Sequence, residues 1–235
     1  MNNKSIWLFN ESKSVGVNYF DKKLVREYDK EHEKFRNFEE EALKISDAVD
    51  LSKDSIILDI GCGTGGLTTH FSRICKHVYA VDPSDEMIGA LKNKIQKQNL
   101  TNVTPIQSGF LSYDYLGESL DAVVANICLH HLPDFWKQVA LYLFHKFLKP
   151  DGKLFLSDVV FDFKPQEYQK TINSWIDGMR STAGNQMAEE AIIHIREEFS
   201  TWDWIMTGML DRAGFHIDRN TEIMPHIRAY VCTKK

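Results

Sequence analysis

Three glycines alternate with other residues in LDIGCGTGGLTTHF, the stretch from residue 58 to residue 71. They are Gly61, Gly63 and Gly65, and the acidic Asp59 stands two positions before the first of them. The apolar residues before the glycines predict a buried strand, and the residues after them predict a helix. Glycines at such a junction let a ligand approach the backbone, and a helix N-terminus adds N–H groups and partial positive charge. The stretch therefore predicts a ligand-binding loop.

A second carboxylate, Asp82, ends the next predicted strand, 21 residues beyond Gly61. An acidic residue at this place can accept hydrogen bonds from the hydroxyls of a ribose. The loop also satisfies the G-x-G-x-x-G pattern of dinucleotide sites. Together these features predict an adenosine-containing ligand, and they suit both a nicotinamide dinucleotide and S-adenosylmethionine.

Asp59 favours S-adenosylmethionine over a dinucleotide. A carboxylate two residues before the first glycine would repel a pyrophosphate, whereas S-adenosylmethionine brings a protonated amine and a sulfonium. Asp59 can offset these positive charges directly or through water, and its alternative role is to cap a turn. The chain also has no room for the second substrate domain of a nicotinamide oxidoreductase.

Candidate catalytic residues lie in two other stretches. His130 and His131 belong to NICLHHL (126–132), and histidine works as a base near pH 7. A structural or cofactor-shaping role would also explain each of them, and His131 is the preferred candidate. Tyr28 could shield a sulfonium or bind a hydroxyl, although packing alone would explain it equally well. Two consecutive histidines rarely converge on a metal and no third ligand is evident, so we expect no metal site.

The elements that must position these residues alternate between strand and helix along the chain. This alternation predicts an α/β fold with a parallel sheet and helices on both faces. We expect a Rossmann-like, doubly wound, mostly parallel sheet of seven strands that ends in an antiparallel hairpin. The predicted strands are 55–60, 77–82, VTPIQ, 120–127, 154–160 and two more in the tail. We divide the chain into an N-terminal helical cap (1–50) and a cofactor-binding domain (51–235), whose residues 161–199 form a helical lid insertion.

Composition narrows the class of protein. The chain has 235 residues, 43% of them hydrophobic, which suits one well-buried core. A net charge of −5 disfavours a nucleic-acid partner, and four cysteines without C-x-x-C spacing suggest neither zinc nor a disulfide framework. No stretch approaches the roughly 20 apolar residues that span a bilayer, and the N-terminus lacks the features of a signal peptide. We therefore expect a cytoplasmic protein with no membrane partner.

Four consecutive motifs resemble those of the class I S-adenosylmethionine-dependent methyltransferases. They are LDIGCGTG, VYAVDPS, LDAVVANICLHHL and LKPDGKLFLSD, and the small-molecule and quinone-type enzymes are the most similar members. The resemblance covers residues 55–160 densely and the tail more loosely. It implies the fold described above, a final hairpin at the sheet edge, and S-adenosylmethionine as the donor with S-adenosylhomocysteine as the product.

The resemblance also assigns roles to individual residues. Backbone groups of the glycine loop would hold the methionine part, Asp82 the ribose, and Pro83 and Met87 the adenine face. Gly109 stands where the family usually has the acidic residue that meets the adenine amino group, and Ser108 or the backbone and ring of Phe110 would replace that contact. The full set of expected cofactor-binding residues is Asp59, Gly61, Cys62, Gly63, Gly65, Asp82, Pro83, Met87, Gly109, Phe110 and Asn126.

The acceptor is less constrained by the sequence. The stretch after the fourth strand lacks the Asn/Asp-Pro-Pro-aromatic motif of enzymes that methylate nucleobase or glutamine amino groups. Cys128 does not follow a proline, as the nucleophile of cytosine C5 methylation commonly does. We therefore expect in-line transfer to a small molecule. Two alternatives stay open: a tRNA-modifying enzyme of the same fold that uses S-adenosylmethionine or a derivative of it, and a non-catalytic S-adenosylmethionine-binding module.

Overall fold

The computed structural model describes residues 6–235, so the first five residues of the expected cap lie outside it. One sheet runs through this part of the chain in the order β3-β2-β1-β4-β5-β8-β7, with β6 paired to β5. β1 to β5 are parallel, β8 is antiparallel to both β5 and β7, and β6 is parallel to β5. The expected Rossmann-like sheet with a terminal hairpin is confirmed. The strand count is eight, because the two-residue β6 was not predicted.

The strands follow the apolar runs of the sequence. In β1, four of five residues are buried, as a strand covered on both faces requires. β5 begins six residues before its predicted start, since the turn residues Pro150 to Gly152 are part of a longer strand that pairs irregularly with β4. The bounds are β1 Ile56–Ile60, β2 His77–Asp82, β3 Val103–Gln107, β4 Leu120–Asn126, β5 Leu148–Phe161, β6 Thr201–Trp202, β7 Phe215–Met224 and β8 Ile227–Lys234.

Eight α-helices accompany these strands in residues 6–235, and polar side chains begin several of them. Ser84 accepts the N–H of Met87 at the start of α4, as an N-cap serine does, and Asn37 accepts the N–H of Glu40 at the start of α2. The bounds are α1 Lys22–His32, α2 Phe38–Ala48, α3 Thr68–Ile74, α4 Asp85–Gln98, α5 Asp134–Phe147, α6 Tyr168–Ala183, α7 Asn185–Glu197 and α8 Asp203–Arg212. No helix of the described chain is both long and apolar enough to cross a lipid bilayer.

Two apolar clusters hold the helices to the two faces of the sheet. One joins strand residues such as Leu58 and Val123 to Phe144 of α5 and Leu210 of α8. The other joins alternate residues of the same strands, such as Ile57, to α2, α3 and α4. Side chains alternate between faces along a strand, so neighbouring residues enter opposite clusters. Burial of each large aliphatic side chain contributes on the order of 1.5–3 kcal/mol to stability.

The strand order sets where a ligand can bind. From β1 the chain proceeds to β2 and β3 on one side, and it then returns to β4 and β5 on the other. β1 and β4 are hydrogen-bonded neighbours with Ile60 opposite Ala125. In an open α/β sheet the crevice at such a reversal lies at the carboxyl ends of the strands. The glycine loop after β1 and the NICLHHL stretch after β4 therefore meet at this crevice.

Candidate active site

The glycine loop packs directly against the residues that follow β4. Gly61 has φ of 72°, and a Cβ placed on it would lie 2.5 Å from Cβ of Cys128. Any side chain there would be strained by the backbone and would overlap Cys128. The Cys128 thiol donates to the carbonyl of Ile60 over 3.2 Å, which fixes this contact from the other side. A glycine is thus required where β1 meets the cavity.

The first three N–H groups of the loop donate to residues at the end of β2. Those of Gly61 and Cys62 both donate to the carbonyl of Val81, at 2.8 and 3.0 Å, and that of Gly63 donates to the Asp82 carboxylate. The expectation that backbone groups hold the methionine part stays a prediction, and the carbonyl oxygens are the backbone groups of this loop that suit the ammonium. The ammonium of methionine requires acceptors, which only the carbonyl oxygens of this loop can supply.

Asp82 ends β2 with its carboxylate on the cavity wall. One oxygen accepts the N–H of Gly63 and the other accepts the N–H of Ser84, both over 2.9 Å. Burial raises the pKa of Asp82 to about 6, although these two hydrogen bonds favour the charged form. The carboxylate is thus held in one orientation at the end of the strand, as the binding of a ribose would require.

Asp59 lies one residue before the end of β1 and does not line the cavity. Its carboxylate accepts the hydroxyl of Thr68, in the first turn of α3, over 2.5 Å. Burial raises the pKa of Asp59 to about 7. This side chain ties β1 to α3. Its expected effect on a ligand, directly or through water, stays a prediction.

The loop and the stretch after β4 open into one cavity of about 1370 Å³. Of the residues expected to bind cofactor or to act in catalysis, Gly61, Gly63, Asp82, Pro83, Met87, Phe110, Asn126, Tyr28, His130 and His131 line this cavity. Asp59, Cys62, Gly65 and Gly109 do not line it, and their expected contacts with a cofactor stay predictions. Cys62 and Gly65 shape the loop instead, through a hydrogen bond from the Gly65 N–H to the Cys62 carbonyl over 3.0 Å.

Asn126 is held by protein partners at the end of β4. Its Nδ2 donates to Glu41 over 3.0 Å, and its Oδ1 accepts the hydroxyl of Ser157. Glu41 is in turn bound by the guanidinium of Arg36 at 2.8 Å. Asn126 therefore joins α2, β4 and β5 at the cavity wall, so its orientation is fixed before any ligand enters.

His130 is not an unengaged base. Its Nδ1 lies 2.5 Å from Asp158 and its Nε2 lies 3.3 Å from Glu198. Burial alone would lower the pKa of His130, but the charges of the two carboxylates and the Asp158 hydrogen bond outweigh it and raise the pKa. Both ring nitrogens of His130 already contact carboxylates, so the predicted catalytic role of this residue would require one of these contacts to break.

His131 differs from His130 in the direction of its pKa shift and in the side chains that it contacts. Burial, together with the charge of His130, lowers the pKa of His131 to about 3, so its imidazole is neutral near pH 7. Its ring meets that of Tyr19 edge-on at 5.5 Å, and Tyr19 in turn meets Tyr28 at 6.0 Å. Burial raises the pKa of Tyr28 to about 12, which keeps its hydroxyl protonated. A neutral imidazole and two phenols thus form one patch of the cavity wall.

Glu198, just after α7, is a site residue that sequence analysis missed. Its carboxylate contacts His130 and His194 and accepts the N–H of Val17 over 3.1 Å. The donor atoms of His130, His131 and Glu198 all lie within 4.8 Å of one another. The sequence argument against a metal found no third ligand beside the two histidines, and Glu198 removes that ground. Among the described residues, His130 and Glu198 already contact each other, and each also contacts a further ionisable side chain.

Two further segments close the cavity. Residues 9–20, which we call the cover segment, contribute Phe9, Glu11 and Tyr19 to its wall. The insertion after β5 contributes Trp175 and Met179 from α6, together with residues of α7. Both segments lie outside the sheet and its packed helices. Their side chains therefore determine which molecules can enter the cavity beside the glycine loop.

Comparisons with known proteins agree with this arrangement. Residues 57–152 match the family model described as a methyltransferase domain. An uncharacterized methyltransferase of Oceanobacillus iheyensis is 30% identical over 146 residues, which cover 62% of this chain and 63% of that protein, less than two thirds of its length. One of Alkaliphilus oremlandii is 27% identical over 173 residues, which cover 74% of this chain and 76% of that protein.

Solved structures share the fold at low sequence identity. An S-adenosylmethionine-dependent methyltransferase from Aquifex aeolicus superposes with a TM-score of 0.66 at 17% identity, over 92% of this chain and 99% of that one. A magnesium protoporphyrin IX methyltransferase from Synechocystis, solved with bound S-adenosylhomocysteine, gives a TM-score of 0.58 at 18% identity, over 95% and 90% of the two chains.

Proposed function

We propose that the chain belongs to the class I S-adenosylmethionine-dependent methyltransferase superfamily and that it transfers a methyl group from S-adenosylmethionine to a small-molecule acceptor. The observation that carries this proposal is the single cavity that joins the glycine loop and Asp82 to the patch formed by Tyr19, Tyr28 and His131. Donor and acceptor would meet inside it.

The size of the cavity supports two occupants. Pockets for one small ligand measure roughly 300–1,000 Å³. The cavity is larger, at about 1370 Å³, so a cofactor would leave room for a second small molecule. The cover segment and α6 form walls around that remaining space, which favours an acceptor that enters whole over one group on a large nucleic acid.

The donor end of the cavity suits the charge of the cofactor. The Asp82 carboxylate stands at the end of β2, where the family binds the ribose, and the buried Asp59 and Asp82 carboxylates provide negative potential near the loop. The sulfonium and ammonium of S-adenosylmethionine are both positive. Their binding would lower the pKa of these carboxyls and favour their charged forms.

Transfer itself is an in-line displacement. A lone pair of the acceptor attacks the methyl carbon, the carbon–sulfur bond breaks with its electrons passing to sulfur, and S-adenosylhomocysteine is the product. Alignment of the two reactants supplies much of the rate enhancement. A neutral His131 can accept a hydrogen bond from the acceptor's O–H or N–H, and the Tyr19 and Tyr28 rings can face the sulfonium. We propose no metal, because the sulfonium already activates the methyl group and its leaving sulfur.

Labelled methyl transfer tests the proposal. The protein is incubated with S-adenosylmethionine carrying a labelled methyl group and with cell extract separated into small molecules, RNA and protein. We expect label in the small-molecule fraction with the wild-type protein and much less with Asp82→Ala at a cofactor concentration near the wild-type dissociation constant. Label in RNA would support the tRNA-modifying alternative. Tight cofactor binding with no transfer to any fraction would support the non-catalytic module, and a chelator that abolishes transfer would contradict the metal-free reaction.

A further inference from the structure

One face of the sheet borders the cavity where β5, β8 and β7 lie side by side. Phe155 of β5 pairs with Val231 of β8, and Val231 pairs in turn with Arg219 of β7. Side chains directly opposite each other in antiparallel strands point to the same face, and all three of these residues line the cavity. Ala229, two residues before Val231, lies on that face and also lines the cavity. This end of the cavity therefore has a largely apolar wall of strand residues.

Helix α6 forms a second wall at the same end. Trp175 of this helix meets His226, in the turn between β7 and β8, with 5.5 Å between ring centroids. The helix has no buried residue, yet it lines the cavity at steps of three and four residues, so one stripe of it faces the cavity. Gly178 belongs to this stripe, and a Cβ built on it would meet no other atom within 4 Å. We call the space between the stripe and the strand wall the outer chamber.

Arg219 brings a positive charge to the outer chamber. The pairing of β7 with β8 shifts between Ile217 and Arg219, so that Arg219 and not Asp218 stands opposite Val231. Such an irregularity in a strand changes the direction of a side chain. The Asp218 carboxylate pairs with Lys153 over 3.2 Å, whereas the Arg219 guanidinium has neither a hydrogen bond nor an ion pair within residues 6–235. The cation at this wall is thus available to a ligand.

The cations that α2 and α6 bring to the cavity wall have acids beside them. Lys44 of α2 follows Glu40 by four residues, and Lys170 of α6 follows Glu167 by three, and all four residues line the cavity. Opposite charges at these spacings are neighbours on a helix surface and offset each other. The outer chamber therefore combines an apolar strand wall with one positive charge, that of Arg219, which no acid of the described chain pairs with.

We propose that the acceptor is an elongated small molecule with an apolar body and a carboxylate at the end away from the methylated atom. The inference rests on the proposed function, since it concerns the acceptor of that reaction. The apolar body would lie on the strand wall, and the Arg219 guanidinium would bind the carboxylate, whose two oxygens match its geometry. From β4, which is followed by His131, to β7 there are three strand spacings, on the order of 14 Å, and the acceptor would span that distance.

The charge of the labelled product is the first test. In the labelling experiment above, the methylated small molecule should bind an anion exchanger at pH 7 and pass into ethyl acetate only from acidic solution. Its carboxylate lies far from the methyl group and therefore stays free. A labelled small molecule that is neutral or cationic at pH 7, or that acid does not move into the solvent, would overturn the inference. Absence of label from every fraction would instead contradict the proposed function.

Calorimetry on the complex with S-adenosylhomocysteine tests Arg219 itself. The probes are decanoate and decan-1-ol, which share an apolar chain and differ in their end group. The wild-type protein should bind decanoate about tenfold more tightly, as a charge-assisted hydrogen bond implies. Arg219→Met keeps the apolar stem and removes the charge, so it should abolish this preference. Arg26→Met, at an exposed arginine of α1 outside the cavity, is the matched control. Equal affinity of the wild-type protein for the two probes, or binding of neither, would overturn the inference.

Gly178 tests where the probe binds. Gly178→Phe would place a ring in the outer chamber, and the fold should tolerate it because its Cβ enters open space. It should weaken decanoate binding by more than about tenfold and reduce methyl transfer, with the affinity for S-adenosylhomocysteine retained. Gly89→Phe is the matched control, because this glycine of α4 also has open space around its Cβ but does not line the cavity. Unchanged decanoate binding in Gly178→Phe would place the probe outside the outer chamber and overturn the inference.

Discussion

His130 and Asp158 are joined twice in the buried region between β4 and β5. The imidazole Nδ1 lies 2.5 Å from one carboxylate oxygen, and the backbone N–H of His130 donates to the other over 2.8 Å. Asp158 therefore fixes both the backbone and the ring of His130, and directs Nε2 towards Glu198. Burial alone would raise the pKa of Asp158, but the His130 charge and hydrogen bond outweigh it and lower the pKa.

Asp158→Asn should destabilise the protein most in mildly acidic solution. The raised pKa of His130 stabilises the fold below about pH 6.5, and that contribution is lost as the pH rises through the folded pKa. The lowered pKa of Asp158 contributes above about pH 4 and is lost as the pH falls. The pair therefore contributes most between about pH 4 and 6.5.

Urea unfolding at pH 5.5 and 8.5 measures this effect. Loss of one partner of a buried ion pair costs about 3–5 kcal/mol, so we expect a loss of that order at pH 5.5 and a smaller one at pH 8.5. Asp162→Asn is the control, since that carboxylate is exposed and pairs only with Arg228 in the described residues. An equal loss at both pH values would show that the charge of His130 does not matter.

Asp82→Ala should weaken S-adenosylhomocysteine binding by about 10–200-fold. The estimate takes roughly 1.5–3 kcal/mol for hydrogen bonds to a charged group. The variant also removes the acceptor of the Gly63 and Ser84 N–H groups, so circular dichroism must first show that the fold is intact. Asp85→Ala, at the exposed start of α4, is the control. An unchanged dissociation constant in calorimetry would mean that Asp82 is not the ribose ligand.

Cofactor affinity should fall below about pH 6. The pKa of Asp82 is raised to about 6 in the ligand-free protein, and a ribose hydroxyl donates best to the ionised carboxylate. We expect the dissociation constant to rise towards tenfold for each pH unit below 6, and Asp82→Asn to flatten that slope. Folding stability has the opposite dependence: because the folded pKa exceeds the unfolded value, the contribution of Asp82 is lost as the pH rises from about 4 to 6. A pH-independent affinity in the wild-type protein would contradict this prediction.

The local parts of this architecture could be predicted from sequence, because they depend on neighbours along the chain. Alternation of apolar runs predicted the strands, and the spacing from Gly61 to Asp82 predicted two groups that do meet at the cavity. The contact of Asp59 with α3 could not be predicted, because the residue type does not show the direction of the side chain. A residue inside a strand faces one side of the sheet, and this one meets Thr68.

Some residues reach the cavity only through contacts between distant parts of the chain, and no sequence pattern identified them. Glu198 accepts a hydrogen bond from Val17 across 181 positions, and Glu11 reaches Leu111 across 100. Both are ordinary glutamates in polar stretches, which usually indicate solvent exposure. Gly109 gave no sign of its neighbour either, because only the fold brings the Glu11 carboxyl group next to it.

S-adenosylmethionine and S-adenosylhomocysteine should raise the melting temperature, whereas NADH should not. A ligand that binds only the native state stabilises it by about 2.7 kcal/mol at 100 times its dissociation constant. The buried carboxylates Asp59 and Asp82 near the loop would attract the cationic cofactor and repel a pyrophosphate. Differential scanning fluorimetry at pH 7.5 measures the shifts, and stabilisation by NADH alone would contradict the assignment of the donor.

Replacement of α6 should separate donor binding from methyl transfer. The helix has no buried residue, yet Trp175 and Met179 line the cavity. Replacement of the whole insertion 161–199 would also remove His194 and Glu198 from the cluster around His130, so the change is confined to α6. The 16-residue helix is about 24 Å long, and a Gly/Ser linker of about eight residues can span that distance.

We expect this variant to fold, because the apolar clusters on the sheet lose no member. Its dissociation constant for S-adenosylhomocysteine should stay within about threefold of wild type, because the loop, Asp82 and the cover segment remain. Methyl transfer should fall by more than about tenfold, since the acceptor loses a wall and water gains access to the reacting methyl group. Trp175→Ala is the milder companion, and it should lower transfer without affecting donor affinity. Transfer at the wild-type rate in the folded linker variant would show that the acceptor binds away from α6.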